Sequence, residues 1–218
     1  MVALARAGLG RVDMVAELQQ ARVNSPMVMV DFDLAYDLFC QGRDAEAGDV
    51  AQGSPDHPRT GRLCFLVALG RRDGRADARR ACKAMVGPNR WEAAPLLFAV
   101  GSPDEVAALA RDLRATADQF PYRGPYSAAD QAAMLAFLEG SAAEADLLGR
   151  PMSNEYERCR RNYLIGWKRL GAGPRDGARA AFQEAYEVMQ VSSTDWMIAR
   201  AVLIRMKDPD WPQAIPKK

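Results

Sequence analysis

Glycines that end helical runs recur along this chain at nearly regular intervals, and this recurrence limits the fold more than any other feature of the sequence. The glycines are Gly10, Gly42, Gly70, Gly101, Gly140 and Gly173. Successive members lie 28 to 39 residues apart. Glycine commonly ends a helix because it adopts backbone angles that other residues avoid. A repeat of this length predicts stacked helix–turn–helix units, each of which buries its apolar face against the next.

The segments between these glycines are rich in helix-forming residues. Ala, Leu, Arg and Glu dominate them, and the alternation of Val, Ile or Thr with polar residues that is typical of strands is almost absent. Several second helices begin with Ser, Asp or Pro followed by acids, and Ser102-Pro103-Asp104-Glu105 is the clearest example. Acids in a first turn suit the positive end of the helix dipole. The chain is therefore predicted to be all-α.

The strongest local pattern is "NYLIGWKRLGAGPRDGARAAFQEAYEV", residues 162–188. Its small and aromatic positions are Gly166, Gly173, Ala178, Phe182 and Ala185. Two antiparallel helices can cross closely only where small residues meet, and an aromatic ring can fill the space beside them. We therefore expect the glycine and the alanines at the contact of this helix pair, with Phe182 next to them and Gly173 in the turn.

This order of Gly, Gly, Ala, Phe and Ala resembles the tetratricopeptide repeat (TPR), and residues 156–190 match that family best. The resemblance implies an all-α, right-handed α-solenoid of about six antiparallel helix pairs, with a C-terminal capping helix and an extended tail. We expect one domain over residues 1–207 and a Pro-rich tail over 208–218, with Trp211 folded over the last helix. The expected units are approximately 1–25, 27–53, 58–87, 88–119, 125–150 and 151–190, with the capping helix at 192–207. The first unit is too short for a full first helix, which suggests a piece of a larger protein.

The resemblance also implies where a partner would bind, because the first helices of stacked TPR-type pairs line a concave inner surface. The inward-facing register of the family falls on Phe32, Tyr36, Trp91, Asp130, Met134, Arg160, Tyr163 and Trp167. An aromatic groove with isolated charges would suit an extended peptide or a helix. Each aromatic has an alternative place in the core between helices, where aromatics at helical spacing usually lie. Trp167 is the best groove candidate, since it lies off the stripe that runs from Tyr156 to Leu170.

No pattern that carries chemistry stands out. The single histidine, His57, lies in a Pro/Gly/Ser/Asp loop and is expected to be a solvated surface residue. The four cysteines show no Cys-x-x-Cys spacing and are expected to be buried, reduced thiols. They are Cys40, Cys64, Cys82 and Cys159. The segment "GAGPRDG", residues 171–177, follows a helix and lacks Gly-Lys-Ser/Thr, so we expect a turn. We therefore expect no enzyme, no cofactor and no metal site.

The charge balance disfavours nucleic acid and membrane surfaces as partners. Lys and Arg number 29 against 28 Asp and Glu, a net charge of +1. No apolar run approaches the roughly 18–20 residues that span a bilayer, and the N-terminus lacks a secretory pattern. We expect a cytoplasmic, non-catalytic scaffold that binds a protein or peptide, since arrays of this family are often attached to signalling proteins. The alternatives are a self-assembling structural subunit and a regulatory domain of a bound or fused enzyme such as a bacterial Ser/Thr kinase; the oligomeric state is open.

Overall fold

The structure, a computed structural model, describes residues 14–24, 28–54, 57–85, 87–117, 126–152, 154–188 and 193–215. Within these ranges the regular structure is entirely helical, which confirms the prediction of an all-α fold. A short 3-10 turn spans Gly87–Asn89. The α-helices are α1 (Met14–Asn24), α2 (Val28–Cys40), α3 (Asp44–Ala51), α4 (Pro58–Leu69), α5 (Arg75–Ala84), α6 (Arg90–Val100), α7 (Pro103–Ala115), α8 (Ala128–Glu139), α9 (Glu144–Leu148), α10 (Glu155–Ala172), α11 (Arg175–Glu187) and α12 (Thr194–Arg205).

The described helices pack neighbour to neighbour along the chain and form two layers. The inner helices are α2, α4, α6, α10 and α12, each of which contacts the next. Outer helices bridge them: α3 packs against α2 and α4, α5 against α4 and α6, and α11 against α10 and α12. Helices α7, α8 and α9 lead from α6 to α10. The last inner helix, α12, also packs against α2 and α4, so the row of inner helices closes on itself.

Two of the predicted glycine turns show directly why glycine is used. Gly140 ends α8 with a φ of +80°, and Gly173 ends α10 with a φ of +111°. These left-handed angles are costly for residues that carry a Cβ. The amide of Gly173 donates to the carbonyl of Arg169 at 3.1 Å, which satisfies one of the open carbonyls at the helix end. Gly10, the first glycine of the series, lies outside the described residues.

The pair α10 and α11 makes the close contact that its small residues favour. A Cβ built on Gly166 would lie 2.7 Å from the ring of Phe182, so the ring lies directly on the glycine. Ala178 and Ala185 on α11 are fully buried. The two helices pack more closely than side chains larger than alanine would allow at these positions.

The segment that follows α12 folds back onto the N-terminal helices, and Trp211, expected to cover the last helix, contacts α2. The Trp211 side chain is buried, and its ring centroid lies 6.2 Å from that of Phe39 on α2. The amide of Ala214 donates to the carbonyl of Leu69 at the end of α4, at 3.1 Å. The tail therefore ties α2 and α4 to the C-terminal end of the chain.

Arg175 at the start of α11 holds this returning segment in place. Its guanidinium donates to the backbone carbonyls of Met206 at 2.8 Å and Asp208 at 2.6 Å, and also to that of Trp211. Arg205 on α12 pairs with Asp44 on α3. Cationic side chains suit the carbonyl end of a helix, so one arginine fixes both the end of α12 and the tail.

Candidate functional site

The eight residues predicted to line a partner-binding groove are buried in the interior. None of them is more than 2% exposed; they are Phe32, Tyr36, Trp91, Asp130, Met134, Arg160, Tyr163 and Trp167. The closure of the inner helices contributes to the burial of Phe32 and Tyr36, because α12 packs against α2, which carries both residues. A partner that docks on the surface of this conformation does not reach these side chains. Their assignment to an open groove is wrong.

Trp167, the best groove candidate from the sequence, is at the centre of an aromatic cluster. Its ring centroid lies 5.3 Å from Phe65 on α4, 6.0 Å from Tyr163 and 5.2 Å from Phe182 on α11. All three contacts are edge-to-face, a favourable geometry for aromatic rings. Trp167 therefore lies off the main apolar stripe of α10 but is still in the core, because it packs against α4 and α11.

Four charged side chains from four inner helices meet beside this aromatic cluster, and we call them the charge cluster. They are Arg62 on α4, Glu92 on α6, Arg160 on α10 and Asp195 on α12. Arg62 pairs with Glu92 and, at 2.9 Å, with Asp195. Arg160 contacts Asp195 at 3.0 Å and Glu92 at 3.2 Å. Each cation therefore touches both anions, and the four side chains join four helices.

The charge cluster is internally neutral, which lets it persist in a low-dielectric interior. Both guanidiniums are 2% exposed and the Asp195 side chain is 5% exposed, while Glu92 at 21% reaches towards solvent. The two guanidinium carbons lie 5.9 and 5.8 Å from the ring centroid of Tyr163, within cation–π distance. Burial raises the pKa of the Tyr163 hydroxyl to about 12, so it stays protonated. The charge cluster therefore holds the four inner helices together.

A second buried ion pair connects α8 to α10. The Arg161 guanidinium contacts Asp130 at 2.6 Å and donates to the carbonyls of Arg150 and Pro151 at 2.8 and 3.0 Å. Glu157 lies 3.7 Å from the same guanidinium. Asp130, predicted to face a partner, instead anchors the start of α8 to Arg161 on α10, and Arg161 also holds the loop after α9.

The pairs around Arg160 and Asp130 were missed by the sequence interpretation, although a signal for them exists. Arg62 stands inside "TGRLCFLVAL", an apolar run in which a lone charge needs a buried partner. Asp195 similarly precedes the apolar face of α12. Sequence alone could indicate that such charges are paired, but it could not indicate with which residue, because Arg62 and Asp195 are 133 positions apart.

The surface carries a groove of about 740 Å³ between α11 and α12, which we call the α11–α12 groove. Its lining consists of Asp176, Arg179, Ala180, Gln183, Tyr186, Arg200, Leu203, Ile204 and Lys207. The apolar side chains of Leu203 and Ile204 remain partly exposed in it. The two-layer packing explains this exposure, because no described outer helix packs extensively against both α12 and α2 as α3 does against α2 and α4.

Another concave surface differs from this groove in its charges. A groove of about 540 Å³ over α5, α6 and α7 has an apolar floor that includes Leu97. Two of the charged residues in its lining already have partners: Arg90 pairs with Asp112, and Glu105 pairs with Arg79. Because these charged side chains form ion pairs within the chain, they are less available to bind a ligand.

The metal-ligating and titratable side chains that the sequence singled out lie at separate places in the described chain. No group of three or more His, Cys, Asp or Glu side chains suitable for a metal ion occurs in the described part of the chain. His57 is partly buried at the start of α4, where its Nδ1 accepts from the amide of Arg59 at 3.4 Å. Burial, aided by Arg59, lowers the pKa of His57, which favours the neutral ring that accepts this hydrogen bond.

The four cysteines are free thiols, as predicted. Burial raises the pKa of Cys40 and Cys159 to about 12 and that of Cys64 to about 11, and it also raises the pKa of Cys82. The thiolate is the reactive form, so each thiol is held in its inert form at neutral pH.

We expect the native protein to react with a disulfide reagent such as DTNB about a hundredfold more slowly near neutral pH than the unfolded chain. Cys64, which is partly exposed and whose pKa is raised least of the four, should react first, and the rate should increase with pH. Thiol titration with and without denaturant measures both rates. Fast reaction of Cys82 or Cys159 in the native protein would contradict the burial described above.

The comparisons with known proteins leave the resemblance to TPR proteins as a prediction. No protein-family model, curated protein or solved structure matches this chain. Among the described helices, none is both long and apolar enough to cross a membrane.

Proposed function

We propose that this chain is a non-catalytic protein-interaction module, a TPR-like right-handed helical repeat that acts as a scaffold in the cytoplasm. The described helices support it, since they follow one another as packed pairs within the boundaries expected for the repeat units. The contact of Gly166 with Phe182 supports it as well. The burial of the inner-face residues moves the proposed docking surface from the inner face to the outside of the array.

The α11–α12 groove is the proposed docking surface, and the gap in the outer layer is the observation that carries this proposal. Along the described row of inner helices, α3, α5 and α11 each cover one contact between successive inner helices, and α7, α8 and α9 connect α6 to α10. At the closure of α12 on α2 the described chain supplies no such helix, and Leu203 and Ile204 stay partly exposed. A partner helix laid beside α11 would complete the layer by the same packing that holds the other outer helices.

Site-specific photocrosslinking in cells tests this proposal. A photoreactive amino acid at Gln183, an exposed lining residue on α11, is expected to give a discrete adduct with one partner. The matched control is the same replacement at Gln52, which is exposed after α3 and far from the groove in the chain. Absence of an adduct from Gln183, or the same adducts from both positions, would contradict the proposal. An adduct between two copies of the chain would instead support the self-assembling subunit.

A further inference from the structure

We infer that the occupant of the α11–α12 groove is an acidic amphipathic helix of a partner protein. This inference depends on the proposed function, because it names the chemistry of the partner that docks at the same surface. It is carried by the charges of the groove and by their spacing along α12.

Three cations line the groove, and none of them forms an ion pair with a described residue. Arg179 donates to the backbone carbonyl of Met206 at 3.0 Å, and Arg200 donates to the hydroxyl of Tyr36 at 3.2 Å. Lys207 is exposed in the turn after α12. Asp176 is the one acidic lining residue, so three positive and one negative charge give the lining a net charge of +2.

Many arginines of the described helices pair with carboxylates, whereas Arg179 and Arg200 of the groove do not. On α10 alone, Arg158, Arg160, Arg161 and Arg169 each pair with an acidic residue. Near the groove, Asp37 comes close enough to Arg200 for attraction to act on it, yet burial dominates and raises the pKa of Asp37. The lining of the groove therefore carries more positive than negative charge, and its cations form no ion pair with a described residue.

The spacing of the lining residues along α12 and the turn after it indicates which side chains a complementary partner helix would carry. Arg200, Leu203, Ile204 and Lys207 occupy positions i, i+3, i+4 and i+7, which share one helix face. Two cations about 10 Å apart along the axis thus enclose a short apolar patch. A partner helix with acids two turns apart and leucine-like side chains between them matches both features. The apolar patch favours such a peptide over a nucleic acid, whose backbone offers charge alone.

Fluorescence anisotropy with a defined probe tests the inference on the purified full chain. The probe is a labelled amphipathic peptide of about 14 Glu and Leu residues, long enough for four helical turns. We expect it to bind, to bind more weakly as salt increases, and to lose about tenfold or more in affinity when Arg179→Glu and Lys207→Glu are combined. The control combines Arg72→Glu and Arg111→Glu, two exposed arginines away from the groove that change the net charge equally. Circular dichroism verifies that both double variants fold.

Each of the other outcomes would contradict the inference, and each would do so for a different reason. Equal loss of affinity in both double variants would mean that net charge, and not the groove, attracts the probe. Tighter binding of a charge-reversed Lys and Leu peptide, or of a thymidine oligonucleotide, would assign a different class of partner. Failure of the Glu and Leu peptide together with a specific adduct from Gln183 would overturn the acidic occupant and leave the proposed function standing. Failure of both experiments would overturn both proposals.

Discussion

Replacement of Arg160 by Ala is expected to lower the free energy of unfolding by about 3–5 kcal/mol. The substitution leaves Asp195 and Glu92 with one buried cation between them, so the interior carries an uncompensated negative charge. It also removes the donor that the carbonyl of Trp91 accepts at 2.7 Å. Because small domains are stable by about 5–15 kcal/mol, a loss of this size approaches unfolding. Urea denaturation followed by circular dichroism measures it.

The matched control is Arg158→Ala, two residues earlier on the same helix. Arg158 pairs with Glu184 at 2.9 Å, but both side chains are largely exposed, and such pairs contribute about 0–1 kcal/mol. A double-mutant cycle between Arg160→Met and Asp195→Asn adds a second criterion. The two effects should be clearly sub-additive, since the second change removes much of the imbalance that the first creates. Equal losses for the two alanine variants, or simple additivity in the cycle, would mean that the charge cluster is not coupled.

Arg160 also shows why the candidate site could be predicted only in part. The register implied by the TPR resemblance put Arg160, Tyr163 and Trp167 on the inner side of α10, and all three side chains are buried. Whether an inward face meets a groove or another helix depends on how far the array closes. That is decided by contacts such as Arg205 with Asp44, 161 positions apart, for which a single sequence gives no periodic signal.

More of the fold than of the protein surface could be predicted from the sequence. The glycine spacing and the small residues of α10 and α11 act through local backbone geometry and neighbour packing, and both are recorded in short stretches of sequence. The α11–α12 groove, in contrast, exists because of a helix that the described outer layer lacks. Its cations, Arg179, Arg200 and Lys207, resemble those of any solvated helix face until the structure shows that none of them forms an ion pair with a described residue.

The close approach of α6 and α10 gives the second prediction: Gly171→Ala should destabilise the fold by about 3 kcal/mol or more. A Cβ at Gly171 would overlap the carbonyl oxygen of Phe98 and lie 2.7 Å from its carbonyl carbon and 3.0 Å from the Cα of Ala99. These are backbone atoms of α6, so no side-chain rotation can relieve the overlap. The helices α6 and α10 would have to separate, and the charge cluster and the ring contact between Phe98 and Phe137 depend on their position.

The control for this prediction is an alanine placed at Gly177, six positions further along. A Cβ there meets only the flexible side chain of Arg169, at 3.5 Å, and the residue lies in the first turns of α11. Since alanine favours the helix by up to about 1 kcal/mol over glycine, Gly177→Ala should be neutral or stabilising. Thermal and urea unfolding of the two variants should therefore shift in opposite directions. Equal behaviour of Gly171→Ala and Gly177→Ala would contradict the close approach of α6 and α10, and with it the closed inner layer on which the buried charge cluster depends.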